Sequence, residues 1–174
     1  EFCARCLDPL VGTGKFDFVA DLGAQMPMRV IGMLLGIPEQ DLDAVREASD
    51  ARLRTEAGQP MQEHDPSGGD MLKEYIDWRI EHPSDDLMTQ LLNSEFTDET
   101  GTRRRLTRDE VLIFCNVLAG AGNETTNRLI GWTGKVLAEH PDQRRQLRED
   151  PSLIPGAIEE ILRYEPPGPH IGRY

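Results

Sequence analysis

The sequence predicts a mainly α-helical fold with one long central helix and short β hairpins. Three observations carry this. Apolar residues recur three and four apart through most of the chain, the period of one face of a helix. Thr107-Arg108-Asp109-Glu110 puts a hydroxyl at a helix start and a carboxylate three residues later, which is a capping box. From there Val111, Leu112, Phe114, Cys115, Leu118, Ala119, Gly122, Leu129, Ile130, Val136 and Leu137 keep one rhythm until Pro141. That run makes a helix about 50 Å long, enough to cross a whole domain.

The other elements follow from local signals. Residues 1 to 11 read as helical. "GTGKFDFV" turns and then alternates Phe16 and Phe18, the pattern of a short strand. "MPMRVIGMLLGIP" is an apolar helix that starts near Pro27 and stops at Gly36 and Pro38. "PEQDLDAVREASDARLR" begins a helix with acids in its first turn, where the macrodipole favours them. Residues 55–70, "TEAGQPMQEHDPSGGD", lack periodicity and are rich in Gly and Pro, so a flexible lid-like loop is expected there. An amphipathic helix over 71–82 and a short one over 85–92, capped by Asp85, come next. "NSEFTDETGTRRRL" reads as a polar hairpin around Gly101, with Arg103 to Arg105 a solvated basic run. "PDQRRQLRED" is a short polar helix, and "PSLIPGAIEEILRYEPP" another, closed by Pro166 and Pro167.

Composition narrows the function classes. The chain has 174 residues, 38% of them hydrophobic, and a net charge of -12. Phosphate binding needs a basic face, so nucleic acid and an anionic membrane surface are not expected as partners. The uncharged run from Val111 to Asn123 falls short of the roughly 20 apolar residues a membrane span takes. Glu1-Phe2-Cys3-Ala4-Arg5 has neither the basic start nor the apolar stretch of a signal peptide. Cys3 and Cys6 form a single C-x-x-C and Cys115 stands alone. We expect neutral or buried thiols and a reduced, cytoplasmic setting, with a metal or thiol site at the C-x-x-C as a weaker reading.

The central helix weakens itself. "LAGAGNETTN", residues 118 to 127, holds Gly120 and Gly122 between good helix formers, and each helical glycine costs roughly 1 kcal/mol against alanine. Ala119, Gly120, Ala121 and Gly122 together thin a whole turn. Thr125 lies three residues after Gly122 and shares its face. Two readings stay open: close packing of another helix with Thr125 as a core hydroxyl, or a groove for a flat cofactor or a small gas, walled by an alcohol and backed by an acid.

"AGNETT", Ala121 to Thr126, resembles the oxygen-binding signature of the cytochrome P-450 family, Ala/Gly-Gly-x-Asp/Glu-Thr-Thr/Ser. Glu160-Ile161-Leu162-Arg163, followed by "YEPP", is similar to the family's second signature, E-x-x-R. "FDFVADLGAQMPMRVIGMLLGIPEQD" resembles the bacterial soluble members ahead of their F helix. The resemblance implies a partial cytochrome P-450-like helical fold. Residues 1–174 would be the central portion of one haem-thiolate monooxygenase domain, truncated at both ends, with 55–70 as the F–G loop.

By the same resemblance, Glu124 and Thr125 are the acid and alcohol that steer protons to the reacting oxygen. Ala121, Gly122 and Thr126 border the groove on the haem and oxygen side. Glu160 and Arg163 form a structural ion pair, and Arg173 matches a residue that meets a haem propionate. The implied cofactor is haem, its axial cysteine expected outside this chain, so the 174 residues alone would be inactive. The implied partners are O2, an apolar small-molecule substrate and a redox partner such as a ferredoxin. The rival reading is a non-catalytic helical binding or scaffold module that keeps the fold.

Overall fold

The computed structural model describes residues 1–53 and 70–168. They fall into two compact units, Met28–Asn123 and, separately, Glu1–Pro27 with the residues from Glu124 onward. The mainly helical expectation holds: helices alternate with short turns, and the sheet is a single two-stranded hairpin among the described residues. The lid-like loop expected at 55–70 lies outside the described residues except for Asp70, which opens a helix.

The Met28–Asn123 unit carries a packed core. Helix α2 (Met26–Leu35) buries Met28, Ile31 and Leu35 along one face. A 3-10 turn leads into α3 (Leu42–Leu53), which adds Leu42 and Val45. Helix α4 (Asp70–Glu81) adds Leu72 and Ile76. Helix α5 (Leu87–Asn93) adds Met88, and the long helix α6 (Arg108–Glu139) adds Val111, Leu112, Cys115 and Ala119. Each fully buried aliphatic side chain stabilises by roughly 1.5–3 kcal/mol.

A buried ion pair ties three of these elements together. Arg79 Nη2 lies 2.8 Å from Asp86 Oδ2, with both side chains almost wholly covered. Arg79 also donates to the carbonyls of Gly36 and His82. Gly36 ends α2 at a φ of +73°, and a Cβ there would fall 2.2 Å from Asp86 Oδ2. Glycine is therefore required twice over, by backbone conformation and by space. The expected cap of α5, Asp85, is corrected to Asp86: its carboxylate accepts from the Thr89 amide at 2.9 Å while holding Arg79.

Strands β1 (Glu95–Thr97) and β2 (Arg103–Arg105) pair antiparallel, with Phe96 opposite Arg104. The turn between them uses Gly101 at φ +82° and the Asp98 carboxylate, which accepts from the amides of Thr100 and Thr102. The three arginines are thus strand residues with carboxylate partners: Glu95 for Arg103 and Arg105, Asp98 and Glu110 for Arg104. The capping box of α6 forms as expected. Glu110 Oε2 accepts from the Thr107 amide at 2.7 Å, and Thr107 Oγ1 accepts from the Glu110 amide at 3.2 Å.

In the other unit, α1 (Phe2–Leu7) runs into a 3-10 turn, and α7 (Pro141–Glu149) and α8 (Ile154–Tyr164) follow the second half of α6. The strand expected at Phe16–Phe18 is absent. Asp17 Oδ1 accepts from the amides of Val19 and Ala20 at 2.9 Å each and starts a π-helical turn, Phe18–Gly23. An alternation of two aromatics, with no partner strand, yields to a local side-chain cap. The ends of α6 and α7 and the face of α8 enclose an apolar cleft of about 510 Å³ lined by Val136, Leu147, Leu153, Ala157 and Ile161.

Two sequence expectations need amendment. Phe18–Leu35, rather than Val111–Asn123, is the stretch whose length and composition approach a membrane span; its helical backbone is broken at Ala24 and Gln25. Of the cysteines only Cys115 is buried; Cys3 is exposed and Cys6 half-buried.

Candidate functional site

Helix α6 runs without interruption through residues 118–127. Its four small residues have different surroundings. Ala119 faces the core and is buried. A Cβ on Gly122 would lie 3.0 Å from Ile31 Cδ1, so α2 presses on the backbone at this point. Gly120 faces open space, and Ala121 is exposed. On the same open side, one and two turns earlier, Val117 and Phe114 are 60% and 53% exposed. The helix therefore presents an uncovered apolar stripe that ends in a turn with almost no side chain.

The polar residues that follow are placed unequally. Thr125 is exposed and Thr126 half-buried. Glu124 is half-buried, and its carboxylate is held by Arg128 one helical turn on. Sequence reading passed over Arg128, although an acid and a base four apart on a helix are a legible signal. It also passed over Asn127. The Asn127 Oδ1 atom is buried without a hydrogen-bond partner, and a Cβ on Gly23 would stand 2.6 Å from it.

Further along, Glu160 and Arg163 on α8 form a two-bonded pair, Nε to Oε2 at 2.8 Å and Nη2 to Oε1 at 2.7 Å. Arg163 holds the Glu160 carboxyl below its usual range. The side chains are 62% and 68% exposed, so in this chain the pair lies on the surface. Arg173 lies outside the described residues.

A long capped helix with a thinned, uncovered turn and a later helix bearing Glu-x-x-Arg match the arrangement that the sequence resemblance implies for the helical core of a haem-thiolate protein. No family model matches the sequence. Individual relatives do. Cytochrome P450 CYP107DY1 of Priestia megaterium is 36% identical over 97% of this chain and 41% of its own length. The biotin biosynthesis cytochrome P450 of Bacillus subtilis is 33% identical over 96% of this chain and 42% of its own length. Among solved structures, P450BioI in complex with an acyl carrier protein ligated to hexadec-9Z-enoic acid superposes with a TM-score of 0.78. It is 31% identical, over 94% of this chain and 42% of that one. The chain is a partial cytochrome P450, spanning about two fifths of the length of the relatives it matches.

The family implies haem. The turn at Gly120 and Ala121, flat and uncovered beside Val117 and Phe114, suits the face of a planar macrocycle. Burial pushes the Cys115 thiol up to about 12, while Cys3, exposed, and Cys6, half-buried, lie on the short helix α1.

Proposed function

We propose that this chain is part of a haem-thiolate monooxygenase that inserts one atom of O2 into an apolar small-molecule substrate. The chain supplies the oxygen-side helix and its proton delivery. The observation behind this reading is the thinned turn of α6, open at Gly120 and Ala121 and followed at once by Glu124, Thr125 and Thr126. Haem, the cofactor the family implies, would supply the activation of dioxygen.

The residues of the chain do the rest. Gly120 and Ala121 keep the helix backbone close to the reacting oxygen, and Gly122 lets α2 pack close behind them through Ile31. Ile113, Phe114 and Val117 give an apolar wall that excludes water and holds an apolar substrate. The Thr125 hydroxyl positions a water as proton donor, and Glu124 refills it from solvent when its carboxylate leaves Arg128. Thr126 borders the same groove. Glu160 and Arg163 brace the haem-side helices, and Arg173 meets a propionate. Electrons come from a redox partner such as a ferredoxin, in a soluble, cytoplasmic setting with neither nucleic acid nor membrane as partner. The carrier-bound fatty acid seen with P450BioI makes a carrier-tethered apolar chain one form the substrate could take. The second reading, a non-catalytic helical module, draws on Ile31 filling the space beside Gly122 and on Arg128 holding Glu124.

Thr125→Ala in the intact enzyme separates the two. Alanine keeps helix and wall, so substrate binds as before. General acid help is typically worth about 10²–10⁴-fold, so product per reductant falls and hydrogen peroxide rises. Unchanged coupling would reduce Thr125 to a helix-surface hydroxyl.

A further inference from the structure

Cys3 and Cys6, the C-x-x-C pair, take no part in the monooxygenase reading, and both are free thiols on α1. Residues three apart on an α-helix have Cα atoms about 5 Å apart. A disulfide accepts Cα separations of about 4.4–6.8 Å. It also wants Cβ atoms about 3.5–4.5 Å apart, whereas at this spacing they stand about 5–6 Å apart. Closing the bond therefore draws one turn of α1 together by about 1 Å or more. Helix α1 can give way: it buries none of its residues and runs straight into the 3-10 turn Asp8–Leu10.

Exposure divides the thiols. Cys3 is exposed and Cys6 half-buried, whereas Cys115 lies wholly buried in the core of the Met28–Asn123 unit. Oxidation by a peroxide takes one reachable sulfur to attack and a neighbouring thiol to resolve the product. A structural zinc site takes four ligands. Among the described residues no three Cys, His, Asp or Glu side chains gather to hold a metal ion. The pair therefore suits two-electron thiol chemistry better than metal binding.

We propose that Cys3 and Cys6 form a reversible dithiol–disulfide site oxidised by a peroxide. With hydrogen peroxide, the Cys3 thiolate attacks one oxygen, the O–O bond breaks, and the departing hydroxide takes up a proton as water. Cys3 becomes a sulfenic acid. The Cys6 sulfur then attacks the Cys3 sulfur, the S–O bond breaks, and hydroxide leaves with the Cys6 proton as a second water. Two thiols and one peroxide thus give one disulfide and two waters. Two equivalents of glutathione reverse the step by exchange and leave as glutathione disulfide, because an exposed bond closed against its helix is labile.

This stands apart from the monooxygenase reading, since its test needs no haem. The purified chain, reduced and freed of reductant, is treated with hydrogen peroxide, blocked with N-ethylmaleimide in denaturant and weighed intact by mass spectrometry. Cys3→Ser, Cys6→Ser and Cys115→Ser variants run beside it. We expect the wild type and Cys115→Ser to lose two hydrogens and two labelling sites, with peptide mapping placing the link at Cys3–Cys6 and glutathione restoring both thiols. Cys6→Ser should stop at a sulfenic acid that dimedone traps on Cys3, and Cys3→Ser should react about tenfold more slowly. No oxidation, linkage through Cys115, links between chains alone, direct passage to sulfinic acid in the wild type, or equal rates in the Cys3 and Cys6 variants would each overturn the proposal.

Discussion

Gly120 and Gly122 sit two residues apart in one helix, yet the same substitution has different consequences. At Gly120 an added methyl enters open space, so Gly120→Ala recovers helix propensity, up to about 1 kcal/mol. At Gly122 the methyl reaches Ile31 Cδ1 at 3.0 Å, and Ile31 must give way. Gly122→Ala therefore gains nothing or loses stability, and pairing it with Ile31→Val shows coupling in a double-mutant cycle. Urea denaturation of the four variants measures this; equal stabilisation at both glycines would contradict the packing described. Asp86→Ala is the harsher change. It removes the α5 cap and strands buried Arg79, at a cost of about 3–5 kcal/mol in the same assay. At this scale the sequence shows which residues are special but not what they touch. Thr125, Glu124 and the Glu160–Arg163 spacing are legible because the motifs are local. Ile31 against Gly122, and Arg79 against Asp86 beneath Gly36, are not, because their partners come from distant parts of the chain.

Elements were legible wherever their signals were local. The capping box of α6, the helix it starts and the hairpin at Gly101 all formed as their residues predict. The misreadings came from competition between nearby groups. Asp17 turned an expected strand into a helical turn, and Asp86 displaced Asp85 as cap because it alone combines the Thr89 amide with Arg79. The α6 start also has a pH signature. Arg104, and then the Thr107 amide, hold the Glu110 carboxyl at about 2, against an ordinary 4.5. The folded value lies below the unfolded one, so the folded state binds fewer protons than the unfolded state in between. The contribution is complete above pH 4.5 and is lost as pH falls towards 2. Glu110→Gln should lower stability at neutral pH and flatten the loss between pH 4.5 and 2. Chemical denaturation across that window tests it; parallel pH curves for the two proteins would mean that the box contributes no linkage. Asp77 and Asp98, also held low by arginine and hydroxyl partners, add slope of the same sign that remains in the variant.

Across the whole molecule, apolar burial is uneven. The Met28–Asn123 unit holds the packed core. In the other unit, among the described residues, the buried large hydrophobics are Leu22 and Ile161, while Leu153 and Tyr164 at the cleft and Ile154 and Ile158 elsewhere on α8 stand exposed. Local stability follows buried contact, so amides of α2, α4 and the first half of α6 should exchange hydrogen more slowly than those of α7 and α8. The exposed faces, together with Phe114 and Val117, form apolar surface of the kind that drives association. Against this stands a net charge of -12, which keeps copies apart at low ionic strength. The balance fixes the direction of two dependences. Salt screens the repulsion over about 10 Å at 0.1 M, so association should rise with salt. It should rise again as pH approaches 4.7, where the net charge vanishes. Size-exclusion chromatography of the purified chain, with an apolar dye reporting open surface, measures both. We expect dye uptake at every salt concentration and an apparent mass that grows from 19.6 kDa as salt is added. A monomer that takes up no dye and is indifferent to salt would mean that these faces are covered within the chain, and the uneven burial would then be wrong.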